Sequence, residues 1–152
     1  MKEILITKGY KTLVDDDDYE MLSKHKWFVS KDKNRCYVKT AINGKNVRMH
    51  RMIMNPKKGM DVDHINNNGL DNRKANLRIC TRSQNIMNSK TRSDTTSGKR
   101  GVYFQKEKGK WRAQIVVNGI YKYLGIFQEK KDAVTAREKA ETELFGEYLK
   151  RE

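Results

Sequence analysis

A chain of 152 residues with 36% hydrophobic content and a mean hydropathy of −0.93 has room for one ordinary domain or two small ones, with thin cores. Its 33 Lys and Arg against 19 Asp and Glu give a net charge of +14, beyond the magnitude of about 2–8 usual for a small soluble domain, so a polyanion is the natural partner and nucleic acid the commonest. No apolar run approaches the roughly 18 residues of a membrane span, and no basic amphipathic helix offers a strong apolar face to a bilayer.

The opening MKEILITKGYK lacks the apolar segment of a secretory leader. Cys36 and Cys80 form neither a CxxC pair nor a zinc pattern, so both are read as free thiols of a reducing compartment. The expectation is a cytoplasmic protein with no membrane and no obligate protein partner.

From Lys2 to Val47 short strand-like runs alternate with turns: EILIT, KTLV, KWFVS and RCYVKTAI, then KNVRM after the hairpin pair Asn43-Gly44. Between the second and third lies DDDDYEMLSKHK, a helix with Asp at its start and Lys and His25 at its end, as the helix dipole favours. Of the four Asp residues at 15–18, one is read as the N-cap and the rest as a solvated first turn. This region looks like scaffold.

MHRMIMN has helical spacing and stops before Pro56; His50, at its start beside Arg51, is assigned a structural or phosphate-contacting role. Then comes DVDHINNNGLDNRKANLRICTRSQN, too polar for a core and longer than the roughly 12–15 residues of an unstructured loop in a compact domain. Phosphodiester hydrolysis needs a base to activate water and a cation to neutralise phosphate. VDH sets Asp63 beside His64 at the end of a short strand, NLRIC begins a second strand at Asn76, and a short helix from about Arg82 carries Asn85. A neutral His can take a proton near neutral pH, and one Asp with a neutral oxygen ligand suits an Mg²⁺-like ion. A calcium loop aligned on Gly69 would put His64 first and Ala75 twelfth, so its first anion and its closing Glu are missing. Asn66, Asn67, Asn68 and Asn72 are read as turn residues. Arg73, Arg78, Arg82, Lys90 and Arg92 surround the motif as candidate phosphate contacts.

SKTRSDTTSGK reads as an exposed linker. After it, GVYFQK, WRAQIVV and IYKYLGIF are three strands joined by the turns KEKGK and Asn118-Gly119. QEKKDAVTAREKAETELFGEYL follows as an amphipathic helix with Ala133, Ala136, Ala140 and Leu144 on one stripe. On the middle strand Trp111, Ala113, Ile115 and Val117 face that helix, and Arg112, Gln114 and Val116 face away. Residues 99–128 hold seven basic and one acidic residue, whereas residues 129–152 hold six basic and seven acidic. The sheet is therefore basic and the helix is not.

The segment MHRMIMN…VDHINNNGLDNRKANLRICTRSQN resembles the HNH endonucleases, in the branch common among phage and intron-associated homing nucleases. LVDDDDYEMLSKHKWFV extends the resemblance upstream. It implies a ββα-metal unit, a hairpin and a helix around one divalent ion. It also implies His64 as general base, Asn76 as the middle Asn that holds the loop, and Asp63 and Asn85 as metal ligands. Asn85 stands where many members have His; as the weaker ligand it points to Mg²⁺, with Mn²⁺ as the alternative, rather than zinc.

The third region resembles the DNA-binding domain of plant ethylene-response (APETALA-type) factors in SGKRGVYF, KWRAQI, YLGIF and DAVTAREKAETELFGEY. That resemblance implies a three-stranded antiparallel sheet on one helix, reading the major groove through Arg100, Tyr103, Gln105, Arg112, Gln114, Val116, Tyr121 and Tyr123. Several positions that carry Arg or Trp in plant members are Tyr, Gln or Val here, so the target sequence does not carry over.

The expectation is an α+β protein: a nuclease domain over 1–90 with its ββα core at about 60–90, a linker over 91–98, and a double-stranded-DNA-binding domain over 99–150. The alternative is a non-catalytic DNA-binding protein or regulator whose HNH site has decayed.

Overall fold

The computed structural model describes residues 1–32, 35–89 and 96–149. It is a mixed α+β structure with four small antiparallel sheets among the described residues, and the chain divides into two compact units, Met1–Thr81 and Arg82–Glu152. Most of the 91–98 linker, residues 91–95, and both Lys90 and Arg92 lie outside the described residues. Among the described residues no helix is long and apolar enough to cross a membrane.

In the first unit β1 (Lys2–Leu5) pairs with β2 (Lys11–Val14), and β3 (Phe28–Asp32), β4 (Arg35–Ile42) and β5 (Lys45–Arg48) form a three-stranded meander. The hairpin between β4 and β5 turns at Asn43 and Gly44, both at positive φ, the geometry that Asn-Gly pairs favour. Helix α1 (Asp16–Ser23) and Trp27 close the core: Ile4, Ile6, Val14, Leu22, Trp27, Val38 and Met49 are all buried together, and the indole Nε1 donates to Leu22 O at 2.7 Å.

The acidic run differs from expectation. Asp15 makes no capping bond within α1; its Oδ2 instead accepts from the Lys74 backbone N–H at 2.7 Å. Asp18 is buried and ion-paired with Lys74 at 2.8 Å, so it fastens the first helix to the later loop rather than forming a solvated turn. His25 lies beyond the end of α1, edge-on to Trp27 at 5.9 Å.

Helix α2 (Met49–Met54) ends where Asn55 takes a left-handed conformation before Pro56, and it packs on β4, β5, β6 (Asp61–His64) and β7 (Leu77–Cys80). β6 and β7 form a hairpin with Asp63 opposite Arg78 and His64 opposite Leu77. The Asn-rich run between them is a hydrogen-bonded loop. Leu13 N donates to Leu70 O at 2.9 Å and Asn72 N to Leu13 O at 2.8 Å, which ties the loop to β2 as an extra bridge. At Gly69 the loop passes so close to β4 that an added Cβ would lie 1.9 Å from Cys36 O, a backbone atom that cannot swing aside. Gly69→Ala is therefore expected to cost at least the roughly 1–3 kcal/mol of an overpacked core, read as a lower urea midpoint with an unchanged slope.

In the second unit α3 (Arg82–Asn88) stands first, followed by a sheet of order β10 (Ile120–Phe127), β9 (Lys110–Val117), β8 (Val102–Gln105) and then α4 (Lys130–Phe145). One face of the sheet packs on α4: Val102 and Ala113 meet Ala133, and Ile115 meets Ala140 and Phe145, with Trp111 and Val117 alongside. The buried stripe of α4 is Ala133, Arg137, Ala140, Glu141 and Phe145, whereas Leu144 is 38% exposed. Arg137 belongs inside because its Nε donates to Arg100 O at 2.7 Å and its Nη2 pairs with Glu141 at 3.1 Å. A buried charge is tolerated when it is paired in this way.

Candidate active site

Three elements of the first unit converge on His64. The strand β6 ends there and is covered on both faces, so successive side chains of a period-two strand are all buried: Val62 is 6% exposed, Asp63 7% and His64 5%. The Asp63 carboxylate accepts from Arg78 Nε at 3.1 Å and Nη2 at 2.9 Å across the hairpin. His64 Nε2 lies 3.1 Å from Asn72 Oδ1, and its ring meets His50 of α2 edge to face at 4.8 Å and Tyr37 of β4 at 6.3 Å.

Asn76 joins both ends of the loop, accepting from Asn66 N at 3.0 Å through Oδ1 and donating to Asp71 O at 2.8 Å through Nδ2. Asp71, itself buried, is clamped by Arg73 through two bonds of 2.7 Å, and this guanidinium holds its carboxyl below the usual carboxylate range. Of the arginines read as phosphate contacts, Arg73 and Arg78 thus each carry an internal carboxylate partner.

Burial favours the uncharged imidazole. It pulls His64 below its ordinary value, against the opposing pull of Asn72, Asp63 and Asp71. His50 is driven down to about 3, first by burial and then by His64, Arg48 and Arg51. Its Nδ1 is buried without a hydrogen-bond partner among the described residues. Cys80, at the end of β7, is pushed up to about 11 by burial and is a free thiol, as is Cys36.

Asn72, read in sequence as a turn residue, and His50, read as structural or phosphate-contacting, both lie against His64. Asn72 sits in a run where every Asn suits a turn, yet it is fully buried. His50 has no signature beyond its helix, and only the fold brings it to His64.

Asn85 lies on α3 in the second unit, half-buried there, and Arg82 begins that helix exposed. Among the described residues no group of three or more His, Cys, Asp or Glu could hold a metal ion. The donors assigned by resemblance are instead one carboxylate and one amide oxygen. That set fits a hard cation that keeps most of its sites for water and phosphate oxygens.

On the free face of the second unit's sheet, β-register places Tyr103 opposite Arg112 and Tyr123 opposite Gln114, with Tyr121 opposite Val116. The Arg112 guanidinium stands 5.2 Å from the Tyr123 ring and 6.0 Å from that of Tyr103, whose hydroxyl is 3.4 Å from Gln114 Oε1. Tyr121 and Tyr123 are 72% and 55% exposed. Arg112 Nε and Gln105 Oε1 are shielded yet without hydrogen-bond partners among the described residues. Arg100 is elsewhere: its guanidinium donates to Ile86 O and, at 3.2 and 3.1 Å, to Ser89 O and Oγ, closing the C-terminal end of α3.

Residues 54–87, from the last residue of α2 into α3, match the family described as HNH endonuclease. An uncharacterized HNH endonuclease of Acanthamoeba polyphaga mimivirus is 33% identical over 147 residues, 93% of this chain and 74% of the viral protein. Protein 3.8 of Escherichia phage T7 is 37% identical over 62 residues, 41% of this chain and 51% of the phage protein. No solved structure matches the chain significantly. With a buried Asp-His pair closing its hairpin and a relative aligned along nearly its whole length, the chain belongs to the HNH endonuclease family.

Proposed function

We propose that the chain is a divalent-metal-dependent DNA endonuclease, of the homing type carried by phages and mobile elements, hydrolysing phosphodiester bonds. The observation that carries this reading is the buried His64 imidazole, kept neutral beside Asp63 at the end of β6. A neutral imidazole takes the proton of the attacking water, and Asn76 keeps the loop that frames it in one conformation. By the family pattern Asp63 and Asn85 are the residues that would hold a divalent ion such as Mg²⁺, which would supply charge for the phosphate and the departing oxygen. The products are a 5′-phosphate and a 3′-hydroxyl. Arg78 and Arg82 are phosphate contacts; Arg78 can reach phosphate only by sharing or leaving Asp63.

The second unit is the proposed duplex reader, an ethylene-response-factor-like domain whose groove face is Tyr103, Gln105, Arg112, Gln114, Tyr121 and Tyr123. Support comes from the exposed tyrosines and from Arg112 Nε and Gln105 Oε1, shielded and without hydrogen-bond partners among the described residues. Arg100 is better placed to hold α3 than to read bases.

A second reading, a DNA-binding regulator with a decayed site, gains from the Asp63–Arg78 pair, in which a guanidinium already neutralises the carboxylate. Cleavage-site mapping on one long duplex in Mg²⁺ tests both halves. The full chain is expected to cut at preferred sites. Arg112→Ala with Gln114→Ala should scatter those sites more than it slows cutting at saturation, since base-edge contacts discriminate by roughly 1–3 kcal/mol each. An unchanged pattern would remove the sheet from recognition, and a chain that binds but never cuts would favour the regulator.

A further inference from the structure

We infer that Thr12, Asn72 and His64 form a hydrogen-bond relay that fixes the tautomer of the His64 imidazole, with the hydrogen on Nε2 and the accepting lone pair on Nδ1. The inference rests on the reading of His64 as the base and adds two positioning residues to it. One of them lies 60 residues away from its partner, in β2.

Donor counting sets the direction of every link. The Thr12 hydroxyl has one hydrogen, and its two acceptors are Leu70 O at 2.8 Å and Met49 Sδ at 3.9 Å. Neither can donate, so the Thr12 oxygen is an acceptor toward Asn72. The Asn72 atom 2.8 Å from that oxygen must then be the amide nitrogen, which also faces Gly69 O, another pure acceptor, at 3.3 Å. Turning the amide over would set oxygen against oxygen at both contacts. The other end of the amide is therefore Oδ1, and the His64 Nε2 that meets it at 3.1 Å carries the hydrogen. In a neutral imidazole the hydrogen bond made by one nitrogen decides the role of the other.

The relay is buried and anchored. Thr12 and Asn72 are fully buried, and Asn72 N is held by Leu13 O at 2.8 Å. The N-terminal hairpin, which reads in sequence as scaffold, thus selects which nitrogen of the base receives a proton.

The test uses the full chain, metal-free and labelled with ¹⁵N-histidine, in long-range ¹H–¹⁵N correlation spectra at a pH where His64 is neutral. Only three histidines need assigning, and His64→Ala identifies the resonance. Wild type and Thr12→Ser, which keeps the hydroxyl, should both show His64 with hydrogen on Nε2. Thr12→Val, similar in shape without the acceptor, and Asn72→Leu should show a mixture of tautomers. In Mg²⁺ these two variants should lose about tenfold or more in kcat, with KM little changed, as expected when a base is held in the wrong tautomer.

Hydrogen on Nδ1 in wild type would overturn the relay. So would a Thr12→Val protein with wild-type spectrum and kcat, a comparison that stands even if Asn72→Leu does not fold. If the tautomer is as stated but His64→Ala cuts at full rate, the relay survives and the assignment of His64 as base fails.

Discussion

His64→Ala should slow DNA cleavage by about 10²–10⁴-fold, the usual contribution of a positioned base. DNA affinity should be nearly unchanged, because it comes mainly from Lys and Arg contacts to phosphate, of which this chain has an excess. Single-turnover rates with protein in excess, beside binding at the same salt, separate the two effects. The sign of the pH dependence follows from burial. In the proposed reaction the active form is the neutral imidazole, and burial lowers the His64 pKa. The acid limb of the wild-type rate profile should therefore lie below the ordinary histidine value of about 6.5. Stability moves with the same sign. His50, pulled down to about 3, is neutral in the fold but takes up a proton on unfolding between about 6.5 and 3. Stability is thus lost as pH falls through that window, by up to about 1.4 kcal/mol per pH unit, so the rate profile needs parallel melting curves.

Removing the metal should have a comparable effect. Cleavage should stop in excess EDTA and return with Mg²⁺ or Mn²⁺. Asp63→Asn tests the ligand more cleanly than Asp63→Ala. The Asp63 carboxylate is bonded twice by Arg78, and both side chains are largely buried. Truncation would remove the carboxylate from a largely buried ion pair, which costs several kcal/mol. Asn keeps the shape and an acceptor oxygen while removing the charge. It should lower the rate in saturating Mg²⁺ by at least about 100-fold, a loss comparable with that of other transition-state electrostatic groups, with a much smaller change in melting temperature. Asn85→His should keep activity and widen the choice of metal. Undiminished cleavage in EDTA would rule out the metal mechanism.

The sequence was most legible where chemistry and local pattern coincide. Alternation marks Trp111, Ala113, Ile115 and Val117 as the packed side of β9, and the fold places them there. Asn43-Gly44 marks its own hairpin. Legibility failed where a residue's role depends on something distant in the chain. Asn72 is indistinguishable from its turn-forming neighbours until Thr12 arrives beside it. Asp18 reads as solvated because Lys74 is 56 residues away. Arg137 breaks the apolar stripe of α4, yet it is buried with its Nε bonded to the Arg100 carbonyl and its Nη2 paired with Glu141. Arg100, a groove contact by resemblance, also closes α3, because the carbonyls of Ile86 and Ser89 end within its reach. In each case short-range propensity was overruled by a partner that only tertiary structure supplies.

The central claim, that this chain cuts DNA with the His64 centre, is tested most directly on supercoiled plasmid with purified wild-type and His64→Ala proteins, each in Mg²⁺ and in EDTA. Nicked or linear DNA with ligatable 5′-phosphate ends is expected for wild type in Mg²⁺ and in no other arm. Equal cutting by His64→Ala, or intact plasmid in every arm despite binding, would contradict it.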